Sequence, residues 1–242
     1  QSFHLMTVNS HALDLADYGS HTNIEGVVRF ADGSLSGELQ EGPAMFPLMR
    51  RLDMMLHDLA RGEHAIMQYG KAARQAGITT ATDLMADLTD EDVESFLSVT
   101  GRPDFPLRIV PALGVIGMPP QEAAAKALAL RERSTDMLRM GICKIMTDGS
   151  IQGFTARVKW PGYVGGQPNG IWNLEPERLK EMVSVLHEAG LNIQVHTNGD
   201  EASDFLLDCF EEAMRRHPRG DHRHTLQHFQ MAGEDQFFRA AR

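Results

Sequence analysis

Three side chains that can bind a metal ion or carry a proton stand within or at the ends of short apolar runs. Lys144 lies inside the run ICKIMTD, His196 ends the run NIQVH, and His228 follows TLQ. Imidazole is the commonest metal ligand among side chains, and a buried ammonium group is unfavourable unless it is paired, modified or hydrated. The three residues therefore predict a divalent metal site, provided that their strands lie side by side.

Each of these residues also has an interpretation that requires no ligand. Side-chain alternation places Lys144 on the same strand face as Asp148, so the two could form an internal ion pair. A lone buried histidine is more often a hydrogen-bonded core residue than a ligand. Two histidines at equivalent ends of adjacent strands, His196 and His228, favour the metal site over this alternative.

His222 and His224 have the spacing of a His-x-His metal motif. They stand at the start of their strand, on the side where a barrel is stabilised rather than where it carries its site. We therefore interpret them as the entry into the strand. Alternation along this strand predicts that His228 ends an inward-facing row with Leu226 and His224.

The elements that must position these side chains alternate between strand and helix. Runs of apolar and β-branched residues predict buried parallel strands over residues 77–83, 107–113, 142–148, 192–198 and 223–229. Helical apolar spacing or strong helix formers predict helices over residues 48–59, 119–140, 176–190 and 200–217. This order predicts βαβ units around a parallel sheet.

Both a doubly wound sheet and a (β/α)8 barrel have this order of elements. No G-x-G-x-x-G follows any of the strands, which weakens the dinucleotide-binding version. Polar residues gather at the carboxyl ends of the strands, which favours the barrel. Residues 26–39 predict a small hairpin around Asp32-Gly33 instead of a barrel strand. We therefore predict an inserted hairpin region over 1–50 and a partial barrel over 51–242.

The segment 149–173 contains six glycines and two prolines. A loop of this length is uncommon in a compact domain unless it is functional. Its aromatic residues Trp160, Tyr163 and Trp172 could line a pocket, although an ordinary surface excursion explains the segment as well. Asp200 opens the helix after His196, where a carboxylate can cap the helix and orient the imidazole.

The composition restricts the classes of partner. The 242 residues include 33 acidic and 23 basic side chains, a formal net charge of −10, which argues against nucleic acid or an anionic membrane. No run of about 18 apolar residues is present, so we expect no membrane-spanning helix. Cys143 and Cys209 cannot build a disulfide framework. We interpret both as buried apolar residues and expect a reducing, cytoplasmic compartment.

Five motifs in order resemble those of the amidohydrolase superfamily, in the branch of metal-dependent hydrolases that includes N-substituted formamide deformylase. They are HLMTVNSHAL from His4, GITTATD from Gly77, KIMTDGSIQGFTA from Lys144, VHTNGDEA from Val195 and LQHFQ around His228. The resemblance implies an α/β protein of the (β/α)8 TIM barrel class, of which this chain supplies the middle part, strands two to six. It also implies one or two divalent metal ions, with zinc preferred.

By this resemblance His196 and His228 are metal ligands. Lys144 takes the strand-four position, which CO2 often carboxylates so that it bridges two metals. The expected substrate contacts are His4, Asp148 and Tyr163, and Asp200 is expected to steady the ligands. The superfamily's first-strand His-x-His and eighth-strand aspartate, the usual proton shuttle, are expected before Gln1 and after Arg242. We therefore expect a piece of a longer protein that lacks these catalytic residues and is inactive alone.

The leading hypothesis is a hydrolase of amide or formamide-like C–N bonds that uses metal-activated water to attack the carbonyl. Two alternatives stay open: a non-catalytic barrel that acts as a binding or regulatory protein, and a barrel hydrolase of esters, lactones or phosphoesters. The expected partner is a small-molecule substrate, with neither nucleic acid nor membrane. Assembly into a homo-oligomer is left open.

Overall fold

The computed structural model describes residues 3–54 and 62–242. The helix predicted over 48–59 falls partly outside this range, because Met55, Leu56 and Leu59 are not among the described residues. Within the described residues, no helix combines the length and the apolar character needed to cross a membrane.

The first part of the chain forms a small antiparallel sheet with two helices. Its elements are β1 (Leu5–Thr7), α1 (Ser10–Leu15), β2 (Val27–Arg29), β3 (Leu35–Gln40) and α2 (Glu41–Arg51). Strand β3 lies between β1 and β2 and is antiparallel to both. The predicted hairpin is confirmed, with Gly33 at φ 86° in the turn between β2 and β3. Strand β1 was not predicted, because three residues are too short to carry a period-two pattern.

The rest of the chain alternates helix and strand. The elements are α3 (Glu63–Gln75), β4 (Thr80–Ala86), α4 (Asp90–Thr100), β5 (Arg108–Gly114), α5 (Pro120–Glu132), β6 (Ile142–Met146), α6 (Pro176–Glu188), β7 (Asn192–Thr197), α7 (Asp200–Arg216), β8 (Thr225–His228) and α8 (Glu234–Ala240). The five strands β4 to β8 form one curled parallel sheet in chain order, as part of a barrel would. The predicted α/β class and the five parallel strands are confirmed. Their numbering as barrel strands two to six stays a prediction.

Two boundaries differ from the prediction for local reasons. Strand β4 starts three residues later than predicted, because Gly77, at φ 73°, ends helix α3 and its N–H bonds to the carbonyl of Arg74. Helix α5 ends at Glu132 rather than at residue 140. Beyond it, the Ile109 N–H donates to the carbonyl of Met137 at 2.9 Å, which holds this stretch extended beside β5.

The hydrophobic residues form two clusters, one within the small sheet region and one between the parallel sheet and its helices. Ile145, Ile193 and Val195 are fully buried on the face of the parallel sheet that contacts the helices. Both cysteines are buried as predicted, and burial raises the pKa of Cys143 and of Cys209 to about 12. The opposite face carries Lys144, Gln194 and Gln227 together with apolar residues such as Met146.

The predicted inward row of β8 is wrong. Leu226 packs against the core on the helix side, and the ring of His224 stacks on Phe210 of α7. Gln227 is the residue that faces the inner side, where its amide contacts Lys144 and bonds to Gln194. His228 leaves the alternation, because its backbone is left-handed at φ 69°.

Candidate functional site

Three histidine rings from separate elements meet at the carboxyl ends of the parallel strands. His4 precedes β1, His196 lies in β7 and His228 ends β8. The ring centroids of His196 and His228 are 4.8 Å apart, and those of His4 and His196 are 5.1 Å apart. All three rings, with Lys144, line a cavity of about 1180 Å³. This volume is sufficient for a small organic molecule.

The immediate surroundings of His196 determine which of its ring nitrogens is free. Its Nε2 lies 3.0 Å from the carbonyl oxygen of Gly149. Since a carbonyl oxygen only accepts, Nε2 carries the hydrogen and the lone pair of the neutral ring is on Nδ1. Burial lowers the pKa of His196 to about 3, so the ring is neutral at physiological pH. A neutral imidazole held through its second nitrogen is the form in which histidine binds a metal.

The ring of His228 lies beside that of His196 because of the backbone conformation of His228. Its left-handed backbone brings the ring edge-on to His196 at an interplanar angle of 74°. Loss of hydration lowers the pKa of His228, and the charges of Lys144 and His4 lower it further. The ring is exposed in the cavity wall, where it can contact a bound ligand.

Lys144 is buried on the inner face of β6. Its ammonium contacts the side-chain carbonyl of Gln227, and among the described residues it has no carboxylate partner. The alternative of an internal pair with Asp148 is therefore not what the structure has. Burial lowers the pKa of Lys144 to about 8. About a tenth of this lysine is then the uncharged, nucleophilic amine at pH 7.

Asp148 is fully buried and holds the long loop against the sheet. Its carboxylate accepts backbone N–H groups of Asn198, Gly199 and Arg157 at 2.8 to 3.0 Å. Burial raises the pKa of Asp148, and these hydrogen bonds lower it part of the way back. The side chain is not in the cavity wall. We therefore interpret Asp148 as a positioning residue rather than as the predicted substrate contact.

The predicted aromatic wall from the loop 149–173 does not form in this cavity. Trp160 is 94% exposed, and Trp172 packs edge-on against Phe205. Tyr163 donates its hydroxyl hydrogen to the carbonyl of Ala156 at 2.7 Å, and burial raises the pKa of Tyr163 to about 12. None of the three aromatic side chains borders the cavity. The loop reaches the wall through smaller residues instead.

The helix cap predicted at Asp200 is also wrong. The residue that caps α7 is Gly199, and Asp200 is the first helical residue. Its carboxylate accepts the backbone N–H of Lys159 at 2.9 Å, which ties the loop to the helix. The task of orienting His196 belongs to the carbonyl of Gly149, which also accepts a hydrogen bond from the Asn198 amide at 2.8 Å.

Sequence reasoning missed the polar residues that complete this region. Glu41 and Asn173 lie in the cavity wall, and Gln194 and Gln227 form a hydrogen-bonded pair beside Lys144. The two glutamines had a sequence signal, since each alternates with apolar residues in a buried strand. Glu41 had none, because its partners His4 and Asn173 lie 37 and 132 residues away along the chain.

The donor set fits part of a metal centre. Two imidazoles with lowered pKa values and a lysine near neutrality match the nitrogen-rich preference of zinc-like divalent ions. However, across residues 3–54 and 62–242 no group of three His, Cys, Asp or Glu side chains is arranged to hold a metal ion. A centre built on His196 and His228 therefore needs Lys144 or ligands beyond these side chains.

Comparisons with known proteins agree with this architecture. The chain is 23% identical over 243 residues to Protein LONG AFTER FAR-RED 3 of Arabidopsis thaliana, covering 94% of this chain and 40% of that protein. It is 31% identical over 122 residues to Putative amidohydrolase YtcJ of Bacillus subtilis (strain 168), covering 50% of this chain and 22% of that protein.

The fold also matches crystal structures of uncharacterized metal-dependent hydrolases from Pyrococcus furiosus and Pyrococcus horikoshii OT3. Both have a TM-score of 0.62 and cover 98% of this chain, at 19% and 17% identity, and they match 46% and 44% of those chains. The chain thus spans less than half the length of the relatives it matches. The family model described as Amidohydrolase family matches residues 1–242, and the protein therefore belongs to the amidohydrolase family.

Proposed function

We propose that this protein is part of a metal-dependent hydrolase that cleaves amide or formamide-like C–N bonds. Membership of the amidohydrolase family supports a hydrolase. The observation that carries the proposal is the contact between the neutral ring of His196 and the ring of His228, beside Lys144 in one cavity wall. Two imidazoles from neighbouring strand ends, with a lysine beside them that can form a carbamate, are a foundation for a divalent metal site.

In this proposal His196 and His228 hold the metal through ring nitrogens. For His196 the coordinating atom is Nδ1, because Nε2 donates to the Gly149 carbonyl. Zinc is the ion that this donor set favours, and one or two ions are compatible with it. When bound, the ion supplies an activated water nucleophile near neutral pH and polarises the scissile carbonyl.

Lys144 has a second role in the proposal. With its pKa lowered to about 8, its amine can react with CO2 to form a carbamate, as the resemblance to the superfamily implies. The carbamate oxygens would then act as metal ligands. The neighbouring amide of Gln227 would hold this side chain in place from the inner face of β8.

The experiment is the metal content per chain, measured by elemental mass spectrometry on the whole natural protein after native purification. We expect one or two zinc-like ions per chain and turnover of members of an amide and formamide panel. Ester, lactone and phosphoester substrates in the same panel test the alternative chemistry. A protein that binds no metal even after zinc reconstitution contradicts the proposal and favours a binding or regulatory barrel. The predicted cytoplasmic location and the absence of nucleic-acid partners remain predictions.

A further inference from the structure

A buried histidine–glutamate pair links the small antiparallel sheet to the candidate site. Nδ1 of His4 lies 2.9 Å from both carboxylate oxygens of Glu41. The two residues are 7% and 1% exposed, and the backbone N–H of Glu41 donates to the carbonyl of His4 at 2.8 Å. Two bonds, one through side chains and one through the backbone, thus fix the histidine against the glutamate.

The structure places the Glu41 carboxylate at some conformational cost. Glu41 has a left-handed backbone at φ 65°, which is unfavourable for a residue with a side chain. Its carboxylate occupies the space that a side chain at Gly149 would fill, so this glycine is required where the carboxylate arrives. Asn173 holds the second oxygen through its amide at 2.9 Å. Strain of this kind persists where the surroundings impose it, and it often marks functional sites.

The pair leaves one nitrogen of His4 uncommitted. Since Nδ1 donates to a carboxylate, the lone pair of the neutral ring is on Nε2. Within residues 3–54 and 62–242, Nε2 of His4 has no hydrogen-bond partner. The ring lies 5.1 Å from the ring of His196, and both residues line the cavity. In this neutral form His4 presents a hydrogen-bond acceptor beside the proposed metal ligands.

We propose that His4 binds the substrate through Nε2 and that Glu41 is the residue that positions it. This inference rests on the proposed function for the identity of the substrate. Nε2 as an acceptor selects a substrate that carries an N–H group next to the scissile carbonyl, as a secondary amide or N-substituted formamide does. An ester has no hydrogen at this position, so the pair favours C–N over C–O substrates.

The substrate contact requires one tautomer of His4, and spectroscopy can test for this tautomer without any substrate. Long-range 1H–15N NMR of 15N-histidine-labelled protein at pH 8 reports the protonated nitrogen of each ring. The His4 signals are assigned by their loss in His4→Gln. We expect hydrogen on Nδ1 and a lone pair on Nε2, and a mixture of tautomers in Glu41→Ala. Hydrogen on Nε2 in the wild-type protein overturns the proposal.

Kinetics on the whole protein test the substrate contact. His4→Asn keeps an amide near Nδ1 that can bond to Glu41 but has no atom in place of Nε2. We expect wild-type metal content and a kcat/KM lowered by about 10-fold to 100-fold on amides, with little change on matched esters. His4→Gln restores an acceptor near Nε2 and recovers part of the loss. His11→Asn, at an exposed histidine in α1, is the matched control.

The outcomes separate this inference from the proposed function. Equal losses on amides and esters in His4→Asn, or no loss at all, overturn the substrate contact. Glu41→Gln is expected to lower kcat/KM about 10-fold with unchanged metal content, because the amide holds the ring less firmly. A wild-type protein without metal or turnover refutes the proposed function, and the ring-nitrogen spectrum then decides the His4–Glu41 pair by itself.

Discussion

Histidines cluster at both ends of the parallel sheet, and the two clusters differ in how their nitrogens are used. At the amino ends, His224 Nε2 and His187 Nδ1 are 2.8 Å apart, and His187 Nε2 donates to the carbonyl of His217 at 2.7 Å. The remaining nitrogen, His224 Nδ1, accepts the backbone N–H of Ile193 at 3.2 Å. All four ring nitrogens of this pair therefore have partners.

At the carboxyl ends, His4 and His196 each have one bonded ring nitrogen and a second one that has no partner among residues 3–54 and 62–242. Their rings face a cavity, whereas His224 packs on Phe210. Ring distances do not distinguish the clusters, since the centroids are about 5 Å apart in both. The comparison teaches that proximity of histidines is not evidence of a functional site. A ring nitrogen with an unused lone pair beside a cavity is such evidence.

The largest expected difference between the clusters is in metal binding. In the whole protein, His196→Ala and His228→Ala should each lower metal affinity by at least about 100-fold and abolish hydrolysis, because each removes a direct ligand. Elemental analysis after dialysis and circular dichroism measure metal content and folding. His222→Ala, in the other cluster, should keep the metal. Retention of metal and activity in either ligand variant would remove that residue from the ligand set.

A smaller effect is expected on stability at the amino-end cluster. His224→Ala leaves His187 Nδ1 and the Ile193 N–H without partners, which should lower the free energy of unfolding by about 2 to 4 kcal/mol. Urea denaturation measures this change, and metal content should stay at the wild-type level. A loss of metal in this variant would mean that the two clusters are coupled through β8. It would contradict the expectation that the amino-end cluster has no part in metal binding.

The smallest effect is a pH dependence of stability. Burial lowers the pKa of His224 to about 3 from 6.5, so between these values the unfolded chain binds a proton that the folded chain does not. The contribution of His224 to stability is therefore complete above about pH 6.5 and declines as the pH falls towards 3. His224→Gln should lose less stability than wild type between pH 8 and pH 5, measured by urea midpoints.

His196, with its own lowered pKa, adds a decline of the same sign. This contribution is present in both proteins and cancels in their difference. An identical decline in wild type and His224→Gln would show that His224 does not gain a proton on unfolding.

Much of the parallel sheet could be predicted from the sequence. Buried parallel strands are continuous apolar runs separated by helical segments, and this pattern is local, so five strands were predicted in their correct order. The pattern fails where the backbone leaves the regular period. At His228 the left-handed turn moves the ring off the face that alternation assigns to it. At Gly77 a helix end occupies the start of the predicted strand.

The histidines and the lysine of the candidate site could be named from residue type and strand position. Their partners could not. Asp148 and Asp200 looked like site carboxylates, but both accept backbone N–H groups that hold the loop. Glu41 carried no motif and is the carboxylate that bonds to His4 in the cavity wall. Hydrogen-bond partners depend on the positions of distant segments, which no local pattern encodes.

By itself, the sequence determined the α/β class, the places of the five parallel strands along the chain and the residue types able to bind a metal, because these follow from local periodicity and side-chain chemistry. Only the tertiary structure decided which nitrogens are free and which carboxylate meets which histidine. The contact between His4 and Glu41 spans 37 residues, and that between Glu41 and Asn173 spans 132. Such contacts form only when the small sheet packs onto the carboxyl ends of the parallel strands.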